Sequence, residues 1–446
     1  MSKVANLRAA RTAGDAVLLE WKSGARQHEI DYRAAGQAAW QTIRNVWAQR
    51  YNIIMLRPET DYEFRVRPIV PEASEPDGRV RGTGLAESAT VCARTAALAP
   101  RIWKDLSLWP TRHLDTFADV PFHPGNEYHG AVYPCIEYFD GFCYIVETFY
   151  IHQCQGPALY LSKVCPDDCK VLWTKEIVPA NNQAPTYQGV PATCLLDHTL
   201  YVTWNWQNSS TAAAWRQRLL GYDLKTGACS EPIILERADP GCGAHTGGIA
   251  VFQGKLWLSW VEVGRARNQI VLRSCEDGRF GAFHVFGDCP SVSPYAPYLG
   301  AFDGQLIMFW SDLAALGKDS EHEPLYCTFF DGERFSKSVK VQDKGRSRYA
   351  KGIQRGDSFY CFYKCSTRYP GSQNMYHDIA LTRIGPAARD LETTWYVDDM
   401  KYNSCPDVTR VDDSLFVVYT KYEHGYHLAH DPAINHGAFI GKITAR

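Results

Sequence analysis

The sequence predicts an all-β chain of two domains: a small strand sandwich over residues 1–97, then a six-bladed β-propeller over residues 101–446. Three observations carry this. The chain has 446 residues, too many for one ordinary core. Aromatic residues are abundant, with 13 Trp and 25 Tyr against 5 Met, a bias that favours strands over helices. A polar turn flanked by apolar strands recurs six times in the longer, C-terminal part.

Short alternating strands fill the first ninety residues: Val17 to Trp21, Gln27 to Arg33, and a run beginning at Leu56. In the stretch Leu56-Arg57-Pro58-Glu59-Thr60-Asp61-Tyr62-Glu63-Phe64-Arg65-Val66-Arg67, a leucine and a turn proline precede Tyr62, whose hydroxyl can bond back to the turn. Tyr62, Phe64 and Val66 then alternate inward. This run resembles the fibronectin type III signature, and Trp21 stands where that family places its core tryptophan. The resemblance implies a fibronectin type III sandwich serving as a spacer, or docking another protein or domain, with no chemistry of its own. Ala96-Ala97-Leu98-Ala99-Pro100 reads as the linker.

The recurring turns are Asp140-Gly141, Asp197-His198, Gln253-Gly254, Asp303-Gly304, Gly356-Asp357 and Asp412-Asp413, spaced by 57, 56, 50, 53 and 56 positions. That spacing fits a four-stranded propeller blade. The strand after each turn is apolar on both faces, as in Leu200-Tyr201-Val202, so it must be covered from both sides. The sixth unit ends after its third strand, and Arg101 to Leu108 can supply the missing edge and close the ring. The arrangement resembles six-bladed sialidase-type or Asp-box propellers, with Ser274 to Phe280 a loose Asp-box match. The likeness is architectural, since sialidases surround a substrate carboxylate with three arginines and Arg348 is the arginine noted at an inner-strand start.

A net charge of −2 without Lys/Arg runs argues against a nucleic-acid partner. No apolar stretch approaches the roughly 18–20 residues that cross a bilayer, and the N-terminus lacks a hydrophobic signal core, so a soluble chain without membrane partners is expected. Fifteen cysteines without CxxC pairs read mainly as buried thiols and favour a cytoplasmic setting, although Cys165 and Cys169 flank a turn and can pair under oxidation. No cofactor is expected. The cluster His424, His427, His430 and His436 completes no known metal spacing.

In a propeller, the innermost strand starts and the second strand ends on the same face, so those residues line one funnel. The inner-strand starts hold Tyr128, His129, Tyr187, Gln188, His245, Tyr295, Arg348, Tyr349, Lys351, Tyr402 and Asn403. Seven positions after each turn stand Trp204, Trp260, Trp310, Tyr363 and Tyr419, but Glu147 in the first unit; Trp206, Glu262 and Asp312 lie two further on. Glu147, Glu262 and Asp312, with His129 and His245, are the expected catalytic set, while Tyr128, Tyr187, Gln188, Tyr295, Arg348, Tyr349, Lys351, Trp204 and Trp206 are expected to hold a carbohydrate. Paired carboxylates suit glycoside hydrolysis. A His/Tyr pair beside an arginine suits β-elimination from a uronic acid, and the sequence leaves both open, with a non-catalytic glycan- or protein-binding propeller as the alternative. Glu147 can equally be an ion-pair partner of Lys351 or Arg348.

Overall fold

The computed structural model describes the chain apart from residues 1–3, 13–16, 26, 47–48, 54–55, 58, 75–79, 85–89, 97–102, 104, 110, 115–128, 152–156, 181–186, 208–210, 265, 288, 314–321, 344, 369–374, 398–401, 423–436 and 446. It divides into two compact units, Met1–Arg101 and Ile102–Arg446.

The first unit is built from two antiparallel sheets. One contains Ala5–Thr12, Val17–Lys22 and Arg50–Ile53. The other contains Gln41–Val46, Gln27–Ala34, Asp61–Ser74 and Val80–Gly84, with Val91–Arg94 also pairing along Asp61–Ser74. Strand alternation sends Val17, Leu19 and Trp21 from the first sheet, and Ile30, Tyr62, Phe64 and Val66 from the second, into one core. The Tyr62 hydroxyl accepts the Arg57 backbone N–H at 2.8 Å, fastening the turn to the strand that follows it.

The second unit is a ring of six antiparallel blades, the fifth and sixth joined by one parallel bridge between His377 and Tyr402. Blade 1 runs His129–Phe139, Phe142–Ile151, Ala158–Val164, Val171–Val178; blade 2, Tyr187–Leu196, Thr199–Gln207, Trp215–Asp223, Ile233–Ile234; blade 3, Gly243–Phe252, Lys255–Val263, Gln269–Glu276, Arg279–Val285. Blade 4 runs Pro294–Phe302, Gln305–Asp312, Leu325–Phe330, Val339–Gln342; blade 5, Arg346–Arg355, Ser358–Arg368, Met375–Ile384, Leu391–Val397. Blade 6 contributes Tyr402–Val411, Ser414–Tyr422 and Gly437–Ala445, and its outer place is filled from the N-terminal side. Leu106–Leu108 pairs Leu108 with Ile443, and Arg112–His113 pairs Arg112 with Ile440. First and last strands thus share one sheet, and the ring has no open inner edge.

The repeating turn has a backbone cause. Asp140-Gly141, Gln253-Gly254 and Asp303-Gly304 each place two consecutive residues at positive φ (47° and 83°, 53° and 73°, 50° and 71°). A two-residue hairpin needs that geometry to match the strand twist, and Asp or Gln followed by Gly supplies it. Between blades, the seventh-position aromatics Trp204, Trp260, Trp310, Tyr363 and Tyr419 are each at most 1% exposed. They fill the seams, and the fully buried Glu147 occupies the same place in blade 1. No helix among the described residues is long and apolar enough to cross a membrane. Cys165 and Cys169 are unbridged, with the Cys169 N–H donating to the Cys165 carbonyl across their turn.

Candidate functional site

Each inner strand carries one register shift near its start, between Val132/Cys135, Gly189/Ala192, His245/Gly247, Tyr295/Tyr298, Arg348/Lys351 and Ser404/Asp407. At each shift one non-glycine residue takes a left-handed φ: Tyr133, Val190, Thr246, Ala296, Tyr349 and Cys405. A left-handed backbone is costly for such residues, above all for β-branched Val190 and Thr246. The device recurs because a bulge bends the strand and re-aims one side chain. Six bulges at one level converge on the axis and form a floor. Tyr133, Pro134, Val190, Pro191, Ala296 and Tyr349 are among the residues enclosing a void of only about 40 Å³ there, too small for a sugar.

At that floor an arc of rings runs around the funnel. Trp215 meets His245 edge-on at 4.5 Å between ring centres, His245 meets Tyr295 at 5.5 Å, Tyr295 meets Tyr349 at 6.3 Å, and Tyr349 meets Tyr133 at 6.0 Å. The Arg348 guanidinium lies 5.4 Å from the centre of the Tyr295 ring, and the Lys364 ammonium 5.3 Å from that of Tyr349. Arg348 also pairs with Glu323, a carboxylate with no exposed surface. His377, at the head of the third strand of blade 5, hydrogen-bonds Ser366 through Nδ1.

Burial sets the protonation states. It pulls the His245 imidazole down to about 4, so the ring is neutral at pH 7. It pushes the Tyr295 and Tyr349 phenols up, so both keep their protons. It brings the Lys364 ammonium down to about 8, with the Arg348 guanidinium adding to the effect. His377 falls to about 2 by burial and then by the repulsion of Lys364, Arg348 and Arg346.

Beneath the floor the axis is plugged. Lys351 Nζ lies 3.1 Å from Asp407 Oδ2 and 2.8 Å from Cys135 Sγ, and Asp407 also accepts the backbone N–H of Ile136 at 3.1 Å and of Val408 at 2.8 Å. Beyond lies the opposite mouth of the channel, a cavity of about 540 Å³ lined by Glu137, Thr193, Tyr298, Gln354 and Arg410 among others.

The expected site residues therefore separate. His245, Tyr295, Arg348 and Tyr349 come together on the floor. Glu262 does not reach it: its Oε1 accepts the Ala238 N–H at 2.6 Å and the Trp260 indole N–H at 3.3 Å, and its Oε2 the Asp239 N–H at 3.0 Å, which fixes the loop entering blade 3. Asp312 likewise accepts from the Ser291 hydroxyl within its own blade's entry turn. Trp204 is fully buried in a seam and offers no sugar platform, while Trp206 stacks on the Arg218 guanidinium at 4.1 Å. Gln188 is buried and donates to the Pro179 carbonyl at 2.7 Å. Lys351 lies past the bulge, below the floor, and its partner is Asp407, not Glu147. Asn403 is buried and donates to the His377 carbonyl at 3.1 Å. Tyr128 and the His424–His436 stretch lie outside the described residues, as do the side chains of His129, Tyr187 and Tyr402.

Sequence reasoning missed Glu323, His377 and Arg346, and it placed Lys364 and Trp215 only as ends of two long loops on the funnel face, without a role for either side chain. Two signals were available. Arg346-Ser347-Arg348 places two arginines on one face of an inner strand, and Lys364 breaks a second-strand column that reads Thr148, Asn205, Val261, Ser311 and Thr420 in the other blades. Glu323 follows a segment of no regular pattern and carried no signal.

No protein-family profile and no curated protein matches the sequence. Solved structures do share the fold. Trypanosoma rangeli sialidase superposes with a TM-score of 0.53 at 10% identity, over 77% of this chain and 60% of that one. A mutant of that sialidase displaying trans-sialidase activity gives 0.52 at 11% identity, over 77% and 59%. The endosialidase of phage phi92 gives 0.54 at 8% identity, over 72% and 68%. The chain thus spans about 60% of the length of the trypanosomal enzymes, and the likeness establishes a sialidase-type β-propeller fold.

Proposed function

We propose that the funnel is a carbohydrate-active site that takes an acidic sugar and cleaves it by β-elimination. One observation carries this: a neutral His245, the protonated Tyr295 and the Arg348 guanidinium are contiguous on the funnel floor, whereas Glu262 and Asp312, two of the carboxylates expected for hydrolysis, are tied up elsewhere. Arg348 neutralises the sugar carboxylate, which makes the adjacent C–H acidic. His245 takes that proton. The bond from the next carbon to the glycosidic oxygen breaks, its electron pair leaves on the oxygen, and Tyr295 supplies the proton that completes the alcohol. The aromatic arc offers ring faces to the sugar, and several solved neighbours are sialidases, one of them in complex with sialic acid. The N-terminal sandwich, with its Tyr62 latch, is read as a fibronectin type III module that spaces or docks the propeller, the division falling at residues 97–101.

Incubation with polygalacturonate, alginate and hyaluronan tests this reading. Elimination generates a conjugated unsaturated uronide with strong ultraviolet absorbance, and Tyr295→Phe and Arg348→Gln are expected to lose it by at least 100-fold. New reducing ends without that absorbance would replace elimination by hydrolysis. Retention on the glycans without turnover would make the propeller a lectin.

A further inference from the structure

On the far side of the floor the channel opens into the cavity of about 540 Å³, a size that suits a small ligand. Leu195, Ile249, Val251, Ile353 and Val408 make much of its wall apolar, and Glu137 is set into that wall from blade 1. Blade packing does not call for an acid there. The corresponding residues of the other blades, three before each turn, are Cys194, Ala250, Gly300, Ile353 and Thr409. Among the described residues Glu137 forms no ion pair, and its hydrogen bond is a long one, 3.3 Å from the Thr193 hydroxyl to Oε1. The Lys351 ammonium pairs with Asp407 instead, at 3.1 Å. A carboxyl withdrawn from water with so little compensation is costly unless something else pairs with it. At the rim, the turns that end the inner strands carry the exposed Asp140, Asp197, Asp303, Asp357, Asp412 and Asp413, against Arg355 and Arg410. That excess of negative charge draws cations to this mouth.

We propose that this cavity binds a linear diamine or polyamine, with one ammonium on Glu137, the methylenes along the apolar wall and a second ammonium among the rim aspartates. A metal ion needs several oxygen ligands converging on one point, whereas here hydrocarbon separates a single inner carboxylate from the acids of the rim. The floor stands between this cavity and the funnel, so the proposal does not depend on the carbohydrate reading. The titratable groups facing Glu137 are Asp407 from blade 6, Lys351 from blade 5, Tyr298 from blade 4, Cys194 from blade 2 and Cys135 on its own strand, with Arg410 also lining the cavity. Burial, and then Asp407, push Glu137 up to about 8, so at pH 7 it is mostly protonated and an arriving ammonium ionises it. Binding therefore releases a proton.

Isothermal titration calorimetry of the full chain with 1,5-diaminopentane, in buffers of different ionisation enthalpy, tests this. At pH 7 binding is expected to release most of one proton, and the affinity should rise about fivefold to tenfold between pH 7 and 8.5 while the amines stay charged. Glu137→Gln should weaken binding at least tenfold and abolish the proton release, and 1-aminopentane, with one cation, should bind at least fivefold more weakly than the diamine. No binding at millimolar diamine, or binding by the wild-type protein without proton release, overturns the proposal whether or not the variant folds. Binding that Glu137→Gln leaves unchanged would reduce it to diffuse attraction by the turn aspartates. Tighter binding of Mg²⁺ with the same proton release would replace the amine by a metal ion.

Discussion

The seams between blades and the floor of the funnel are both built from aromatic residues, yet they do opposite things with them. Seam residues such as Trp204, Trp310 and Tyr419 sit on regular strands, at a fixed distance from a turn, and have almost no exposed surface. Floor residues Tyr133 and Tyr349 sit at bulges in left-handed backbone, with Tyr295 just before one; all three remain partly exposed, and Tyr295 and Tyr349 lie beside cations. An aromatic on a regular strand buries its area and is worth stability. An aromatic at a strained bulge costs stability, and its position has to be explained by something other than packing. The contrast separates scaffold from site more cleanly than residue type does.

The sharpest way to break this contrast is a pair of truncations. Trp310→Ala opens a large void in the seam between blades 3 and 4, where the indole stacks on Tyr326 at 4.5 Å and touches Phe286. It is expected to cost on the order of 3–5 kcal/mol of unfolding free energy in urea titration. Tyr295→Phe removes one hydroxyl and keeps the ring, so it should cost only about 1 kcal/mol while removing turnover. A Tyr295→Phe protein as unstable as Trp310→Ala but fully active would make the floor ordinary packing.

Glu147 tests the same boundary from the other side. It stands in the seam column, opposite Tyr160 on the next strand, and has no exposed surface. A group so placed cannot touch a bound sugar without the seam opening. Glu147→Gln keeps the shape and removes the charge, and is expected to lower stability by roughly 1–3 kcal/mol, with turnover per folded molecule unchanged. Thermal scans and initial rates on one preparation decide the matter. Native stability with lost turnover would return Glu147 to the site.

How much of this was legible follows from range of interaction. The repeat, the hairpin turns and the both-face apolar strands are local patterns, so the six sheets and the missing outer strand of blade 6 could be read directly. Site membership depends on long-range geometry. Counting from the turns treated each inner strand as regular, so Lys351 was placed on the floor; the bulge before it sends it below, to Asp407. Counting also assigned Glu262 and Asp312 to the pocket by face, when loops of their own blades had already claimed their oxygens. Lys364 was hidden because a lysine at a strand end reads as solvated until the partner strand places Arg348 opposite it.

The smallest effect concerns the first unit, whose core, unlike the seams, contains a fully buried histidine. His28 has no exposed surface and meets Trp21 edge-on at 5.4 Å. Burial lowers its pKa from 6.5, outweighing the Val46 backbone contact that raises it. A depressed histidine is neutral in the folded unit but protonates in the unfolded chain, so its contribution is fully present above about pH 6.5. The contribution is then lost as pH falls toward the lower folded value. Native-state hydrogen exchange at the amides of Ile30 and Phe64 should therefore report an opening free energy that declines between pH 6.5 and 5, by at most about 1.4 kcal/mol per pH unit for one proton. His28→Leu should flatten that decline at these two amides. It should leave the blade-seam amides Leu258 and Val417, which lie in the other unit, exchanging as before. An undiminished slope in His28→Leu would assign the acid sensitivity to another group of the first unit.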